Sequence, residues 1–280
     1  MKIGARAHDF GKKEAEVLFE EIMAVGYTGI QLAFKKAIKG INGPEDLDEA
    51  FLEAMRKTVL TVGMEIPVLG CYVEPSYTDE KKRKEEVSAF IHQMRMAKAL
   101  GARCIGTETT NLMKLEDSRE NGLLSLKASL QEMVVEAEDL GMDVAIEPVY
   151  YHVMNTPERT KEILDSIPSK RLKVIFDPVN LLSPDEVEDQ YALWDRSFAC
   201  FGERIAAVHL KGIKQDEHGK LVSSSFEDSI IDYPYILKKL RAYIKAGHIR
   251  DDLYLLREEI KPEHAREDYQ FIKGLVELHD

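Results

Sequence analysis

A chain of 280 residues with 44% hydrophobic and 31% charged side chains has the composition of an ordinary globular α/β protein, able to bury a core without disulfide or metal staples. Its formal charge of −12 argues against nucleic acid or an anionic membrane as main partner, and no run reaches the ~18 apolar residues of a membrane helix. Cys71, Cys104 and Cys200 have no CxxC or zinc-finger spacing. With Met1 to Arg6 entering a strand-like run rather than a signal-peptide core, a cytoplasmic enzyme with free thiols is expected.

In chain order, apolar runs predict strands near 2–7, 28–34, 66–72, 103–108, 143–147, 172–177, 205–210 and 253–258. Between them a phrase recurs: a helical pattern closes on glycine and a strand follows, at Val25-Gly26, Val62-Gly63, Leu100-Gly101 and Leu140-Gly141. Glycine just past a helix takes the left-handed backbone that side chains resist. From Glu80 to Leu100, apolar Val87, Phe90, Ile91, Met94 and Ala97 give one helical face. Thr156-Pro157 and Ser183-Pro184 pair an N-cap residue with a first-turn proline and predict helix starts. Eight strands alternating with eight helices over residues 1–280, with no linker, predict a single-domain (β/α)8 TIM barrel of the usual ~250-residue size. The stretches 72–79 and 214–233 are long for plain loops and are expected as walls or lids on the active face.

Four of the later runs end in a residue able to ligate a metal: Val144-Ala145-Ile146-Glu147, Val174-Ile175-Phe176-Asp177, Ala206-Ala207-Val208-His209 and Tyr254-Leu255-Leu256-Arg257-Glu258. In a parallel barrel the C-terminal strand ends converge on one face. Three carboxylates and one imidazole there make a hard divalent-metal site that favours Mn, Mg or Co over Zn. Such an ion can grip two oxygens of a hydroxy-ketone, polarise the carbonyl and stabilise the enediolate left when the neighbouring proton departs. Glu147 and Glu258 are the candidate acid/base pair.

Around these stand candidate substrate contacts. Glu108 ends strand four, His8 ends strand one, and His152 follows Glu147 by five on the loop above. Lys211 is two residues beyond His209 and so points the same way along a strand. Tyr72, with Cys71, closes strand three as an apolar wall. The mixed charge run 79–86 reads as a solvated first turn. His92, His218, His248, His264 and His279 fall on helices, distal loops or the chain end.

The segments Ile146-Glu147-Pro148, Phe176-Asp177-Pro178-Val179-Asn180, Val208-His209-Leu210-Lys211 and Leu256-Arg257-Glu258-Glu259 resemble the xylose isomerase-like barrel superfamily of sugar isomerases and epimerases. The resemblance implies the metal set Glu147, Asp177, His209 and Glu258, with Glu147 and Glu258 as the acid/base pair. It implies a metal-dependent isomerase or epimerase of a keto-sugar or related polyol. The same superfamily contains lyases of inososes and 3-keto-glycosides, the alternative function, and endonucleases, for which this chain lacks a basic groove and extra histidines. Exposed helices of such barrels often pair, which is compatible with a homo-oligomer. The chain departs from the epimerase pattern twice. Asn180 stands where a substrate-binding His is usual, and Lys211 to Lys214 offers no match for the arginine beyond strand seven.

Register at strand eight is decided by charge. Only one of Glu258 and Glu259 can face the barrel axis. If Glu259 faced inward, Arg257 would too, placing a permanent cation beside a dication in a low-dielectric interior. Glu258 is therefore expected inward with Leu256 and Tyr254, and Arg257 toward the helix layer.

Overall fold

The computed structural model describes residues 1–278. The first half runs β1 (Lys2–Arg6), α1 (Ala15–Val25), β2 (Gly29–Leu32), α2 (Phe34–Ala37), α3 (Glu49–Val62), β3 (Glu65–Gly70), α4 (Glu80–Ala99), β4 (Cys104–Glu108) and α5 (Arg119–Leu140). The second runs β5 (Asp143–Glu147), α6 (Pro157–Ser166), β6 (Leu172–Phe176), α7 (Pro178–Leu181), α8 (Gln190–Phe201), β7 (Ile205–Leu210), β8 (Gly212–Gln215), β9 (Leu221–Ser224), α9 (Tyr233–Lys245), β10 (Tyr254–Arg257) and α10 (Ala265–Glu277). Eight strands close into a parallel barrel in the order β1-β10-β7-β6-β5-β4-β3-β2. This is the predicted TIM barrel, with strand bounds shifted by a residue or two.

The local signals act as physical chemistry requires. Gly63 and Gly141 close α3 and α5 at φ 74° and 60°, where a Cβ would crowd the following carbonyl. Asp48, Asp79, Ser118 and Thr156 accept backbone N–H bonds that open α3, α4, α5 and α6. On α4, Val87, Phe90, Met94 and Ala97 are buried and face the layer beneath.

One expectation changes and one gains detail. Ser183-Pro184 opens only a 3-10 turn, Pro184–Glu186, and α8 starts at Gln190. The Ser183 hydroxyl donates to Glu186 Oε2 at 2.8 Å and accepts no backbone N–H, so it caps nothing. The stretch 214–233 is not a plain loop: β8 and β9 form an antiparallel hairpin outside the barrel.

The barrel interior is packed, not hollow. Val68, Cys104, Ala145, Ile175, Ala207, Tyr254 and Leu256 form its core. Glycines make room for the larger of these. A Cβ on Gly29 would lie 2.5 Å from the Tyr254 ring, and one on Gly106 would lie 2.5 Å from Ile175 Cδ1. No helix among the described residues is long and apolar enough to cross a membrane.

Candidate metal centre and cleft

Barrel closure brings β5, β6, β7 and β10 side by side, so the four strand-end residues form one arc, with Glu147 and Glu258 on its flanks. Glu258 lies one residue past β10, where its N–H still donates to Leu210 O at 3.0 Å. His209 sits at the centre. Its Nδ1 is 3.3 Å from Glu147 Oε2, 3.6 Å from Asp177 Oδ2 and 3.4 Å from Glu258 Oε1. All four side chains are at most 5% exposed.

Three carboxylates pressed together in a dry interior need positive charge at their focus. His209 Nδ1 and Asp177 Oδ2 are buried without a hydrogen bond of good geometry. Ligand atoms of Glu147, Asp177 and His209 lie within 4.8 Å of one another, so this group can hold a metal ion, and a hard donor set of this kind suits a divalent one.

Each member is held from outside the arc. Asp177 Oδ1 accepts from the N–H groups of Val179 and Asn180 at 2.8 and 2.9 Å as the cap of α7, which turns Oδ2 toward His209. Asn180 Nδ2 donates to Glu147 Oε1 at 2.6 Å. Lys211 Nζ lies 2.8 Å from Asp177 Oδ2 and 3.3 Å from Glu258 Oε2, and donates to Asn180 Oδ1 at 2.8 Å. The backbone of Lys211 is pinned in turn by the Tyr233 hydroxyl. Arg6, from β1, reaches Glu258 Oε2 at 3.3 Å and pairs with Asp9 at 2.8 Å.

These charges set protonation. Burial works against ionised Glu258, yet His209, Lys211 and Arg6 hold its carboxyl down at about 2. Burial likewise opposes charge on Asp177, and Lys211 with His209 outweighs it, holding that carboxyl well below the usual range. Burial alone would lower the His209 pKa; Glu258 and Glu147 raise it well above the ordinary value.

At β10, Glu258 is 3% exposed while Glu259 is exposed, and Tyr254 and Leu256 lie inside the barrel. Arg257 turns to the helix layer, where Nε donates to Asp268 Oδ2 at 2.9 Å and the guanidinium lies 4.6 Å over Phe226. The chain makes this turn with Glu259 at φ 56°, the one positive-φ residue other than glycine among the described residues.

Beside the arc opens a cleft of about 360 Å³ lined by Lys36, Tyr72, Glu74, Glu108, Tyr151 and His152, among others. A small void of about 10 Å³ beside it is lined by Gln31, Tyr72, Glu108 and Glu147, among others. Burial, then Glu147 and Glu258, raises the Glu108 carboxyl to about 7. Burial lowers His152 to about 4, and its Nε2 lies 3.7 Å from Glu108. Burial, then Arg6 and Lys36, lowers His8 to about 4; its ring meets Tyr72 edge-on at 6.5 Å. Of the expected contacts, Glu108, His152 and Tyr72 therefore line the cleft. Asn180 and Lys211 instead bind the carboxylates of the arc. Cys71 is buried behind Tyr72 and forms no part of the wall. His92, His218, His248 and His264 are exposed far from these groups, and His279 lies outside the described residues. A larger groove between Leu47 and His92, on the outside of the barrel, carries none of the strand-end residues.

Sequence reasoning missed Gln31, whose Oε1 lies 2.5 Å from His209 Nε2 and whose Nε2 donates to the Tyr72 hydroxyl at 3.2 Å. The available signal was one amide in the otherwise apolar run Gly29-Ile30-Gln31-Leu32, all four residues buried.

A family model described as xylose isomerase-like TIM barrel matches residues 19–249. No curated protein sequence matches the chain. Among solved structures, the fold is similar to a D-tagatose 3-epimerase-like protein (18% identity, 100% of this chain and 98% of that one, TM-score 0.75). It is also similar to the IolI protein with a bound zinc atom (18%, 99% and 96%, TM-score 0.68). A third likeness is a xylose isomerase-like TIM barrel protein from Mycobacterium smegmatis in complex with magnesium (14%, 98% and 96%, TM-score 0.70).

Proposed function

Because this chain belongs to the xylose isomerase-like TIM barrel family, we propose that it is a divalent-metal-dependent isomerase or epimerase of a keto-sugar or related polyol. The observation that carries the reading is the arc: His209 Nδ1 between three buried carboxylates, two of them on the flanks. Glu147, Asp177, His209 and Glu258 would hold the ion. Bound there, it supplies a Lewis acid for a substrate carbonyl.

The protein's own groups do the rest. Glu147 accepts the proton beside the carbonyl, with Asn180 Nδ2 fixing Oε1 so that the other oxygen is aimed inward. Glu258, on the opposite flank, is the partner that faces the other side of a flat enediolate, and returning a proton there inverts the carbon. The resting Glu258 carboxylate, held ionised by His209, Lys211 and Arg6, takes that proton from water, and Glu147 gives its own up to water before the next turnover. The cleft takes the remainder of the sugar. Tyr72 and Tyr151 offer 38% and 42% exposed rings for its apolar faces, and Glu108 and His152 bond its hydroxyls. The family resemblance and the sugar-epimerase-like fold neighbour support a carbohydrate substrate.

Metal-loaded enzyme in D2O with free ketoses and 3-keto-glucosides, followed by NMR, tests the reading. Deuterium at the carbon next to the carbonyl, with no second molecule released, is expected. Release of water or an alcohol would make the protein a lyase. Neither exchange nor release from any keto-sugar would overturn the proposal.

A further inference from the structure

We propose that Gln31 is the positioning residue of the metal centre: it holds His209 in the tautomer whose Nδ1 lone pair faces the three carboxylates, and Tyr72 anchors Gln31 in that place. The proposal rests on the metal reading above and names a part of the centre that lies outside the four strand ends. Gln31 comes from β2, three strands around the barrel from β7, and is 3% exposed. Its Oε1 lies 2.5 Å from His209 Nε2. A carbonyl oxygen can only accept, so the hydrogen belongs to Nε2. A neutral imidazole carries one such hydrogen, and Nδ1 is left as the free donor atom, 3.3 to 3.6 Å from Glu147, Asp177 and Glu258.

The orientation is built into the fold. Gln31 Nε2 donates to the Tyr72 hydroxyl, so both ends of the amide are engaged. Tyr72 is itself held at the cleft wall by the ammonium of Lys36, 3.4 Å over its ring. Outer partners that fix a ligand histidine commonly carry 10–100-fold in metal affinity. Here the outer partner is an amide on a different side of the barrel, so the ring is gripped between two walls.

Calorimetric titration with Mn2+ and NMR of the Zn2+-loaded protein test this. Gln31→Met keeps the length of the side chain without an acceptor; it is expected to lower Mn2+ affinity 10–100-fold and to expose the His209 Nε2–H signal to rapid water exchange. Gln31→Glu, an acceptor, is expected to keep that signal protected and the affinity within a few-fold of wild type. Tyr72→Phe is expected to cost a few-fold in the wild-type background and nothing further beside Gln31→Met, because its effect runs through Gln31. It gives the same test should the Met variant not fold. Wild-type Mn2+ affinity and a protected Nε2–H in folded Gln31→Met would overturn the role of Gln31. An equal cost of Tyr72→Phe in both backgrounds would overturn that of Tyr72. Full metal binding by His209→Ala would instead overturn the metal reading beneath both.

Discussion

The arc of β5, β6, β7 and β10 and the cleft beside β2, β3 and β4 share one barrel mouth and differ in almost every physical respect. On the arc, charges are dry and close: three carboxylates, an imidazole and a lysine, none more than 5% exposed at the side chain. Each is fixed by a partner from another element. In the cleft, rings and charges are partly wet, with Tyr72 and Tyr151 more than a third exposed. There burial moves protons toward neutrality, Glu108 up to about 7 and His152 down to about 4. The arc gathers three carboxylates whose charge is met from the rim by Lys211 and Arg6 and at its focus by His209, the place where a bound cation would sit. The cleft builds a nearly neutral surface suited to hydroxyl groups. Dry, paired charge and partly wet rings are thereby given to different strands.

That division can be broken or sharpened. The largest effect is expected at Glu147: Glu147→Gln keeps an oxygen in the arc but cannot take a proton, so exchange at the substrate carbon falls ~10²–10⁴-fold with metal content unchanged. A near wild-type exchange rate would reduce Glu147 to a structural member of the arc. Next, His209→Ala and Glu258→Ala are each expected to lower metal affinity by more than the roughly 100-fold of an outer partner, whereas Glu259→Ala leaves it unchanged. Elemental analysis after chelator-free purification reads this directly, and metal loss in Glu259→Ala alone would mean that the register is reversed.

The pH dependence separates the two regions as well. In the arc without an ion, Glu258 and Glu147 raise the pKa of His209, so a proton competes with an ion for Nδ1. Binding then releases that proton, and affinity is expected to fall about tenfold for each unit of pH decrease below the raised pKa. Calorimetry in buffers of different ionisation enthalpy counts the proton; no release would show that His209 Nδ1 is already bare. On the cleft side, Tyr151→Ala removes stacking of about 1 kcal/mol and is expected to raise KM about fivefold with kcat retained. A fall in kcat instead would mean that the wall positions the reacting carbons. The smallest effect is expected at the joint where the arc ends. Glu259→Gly relieves a left-handed residue and adds backbone freedom to the unfolded chain, for a net gain of about 0.5 kcal/mol in chemical denaturation.

The arc was legible in sequence because a parallel barrel converts the end of each apolar run into a place on one rim. Glu147, Asp177 and His209 needed only that rule. Glu258 needed one more, the electrostatic cost of turning Arg257 inward. The hairpin of β8 and β9 was hidden because its strands alternate weakly, with only Leu221 and Val222 apolar on the second. Gln31 and Arg6 were hidden for a different reason: Gln31 acts three strands around the barrel and Arg6 across the β1–β10 seam that joins the chain's first and last barrel strands, and a single strand carries no mark of which other strand its side chains will meet. Asn180 and Lys211 were visible as polar residues near the site, but whether they faced substrate or carboxylate depended on the closure of neighbouring strands.

At the opposite end of the barrel, the ring of Tyr254 fills the space that Gly29 leaves empty, with its hydroxyl 3.2 Å from Thr28 Oγ1. Neither residue can change alone: any Cβ at position 29 meets the ring, and a smaller side chain at 254 leaves a void where packing is densest. Descendants of this sequence must cross that barrier by paired replacement, so the two positions should vary together or not at all. The lower mouth would then be a slow-changing record of ancestry, beneath an upper cleft whose wall residues are not locked to one another in this way.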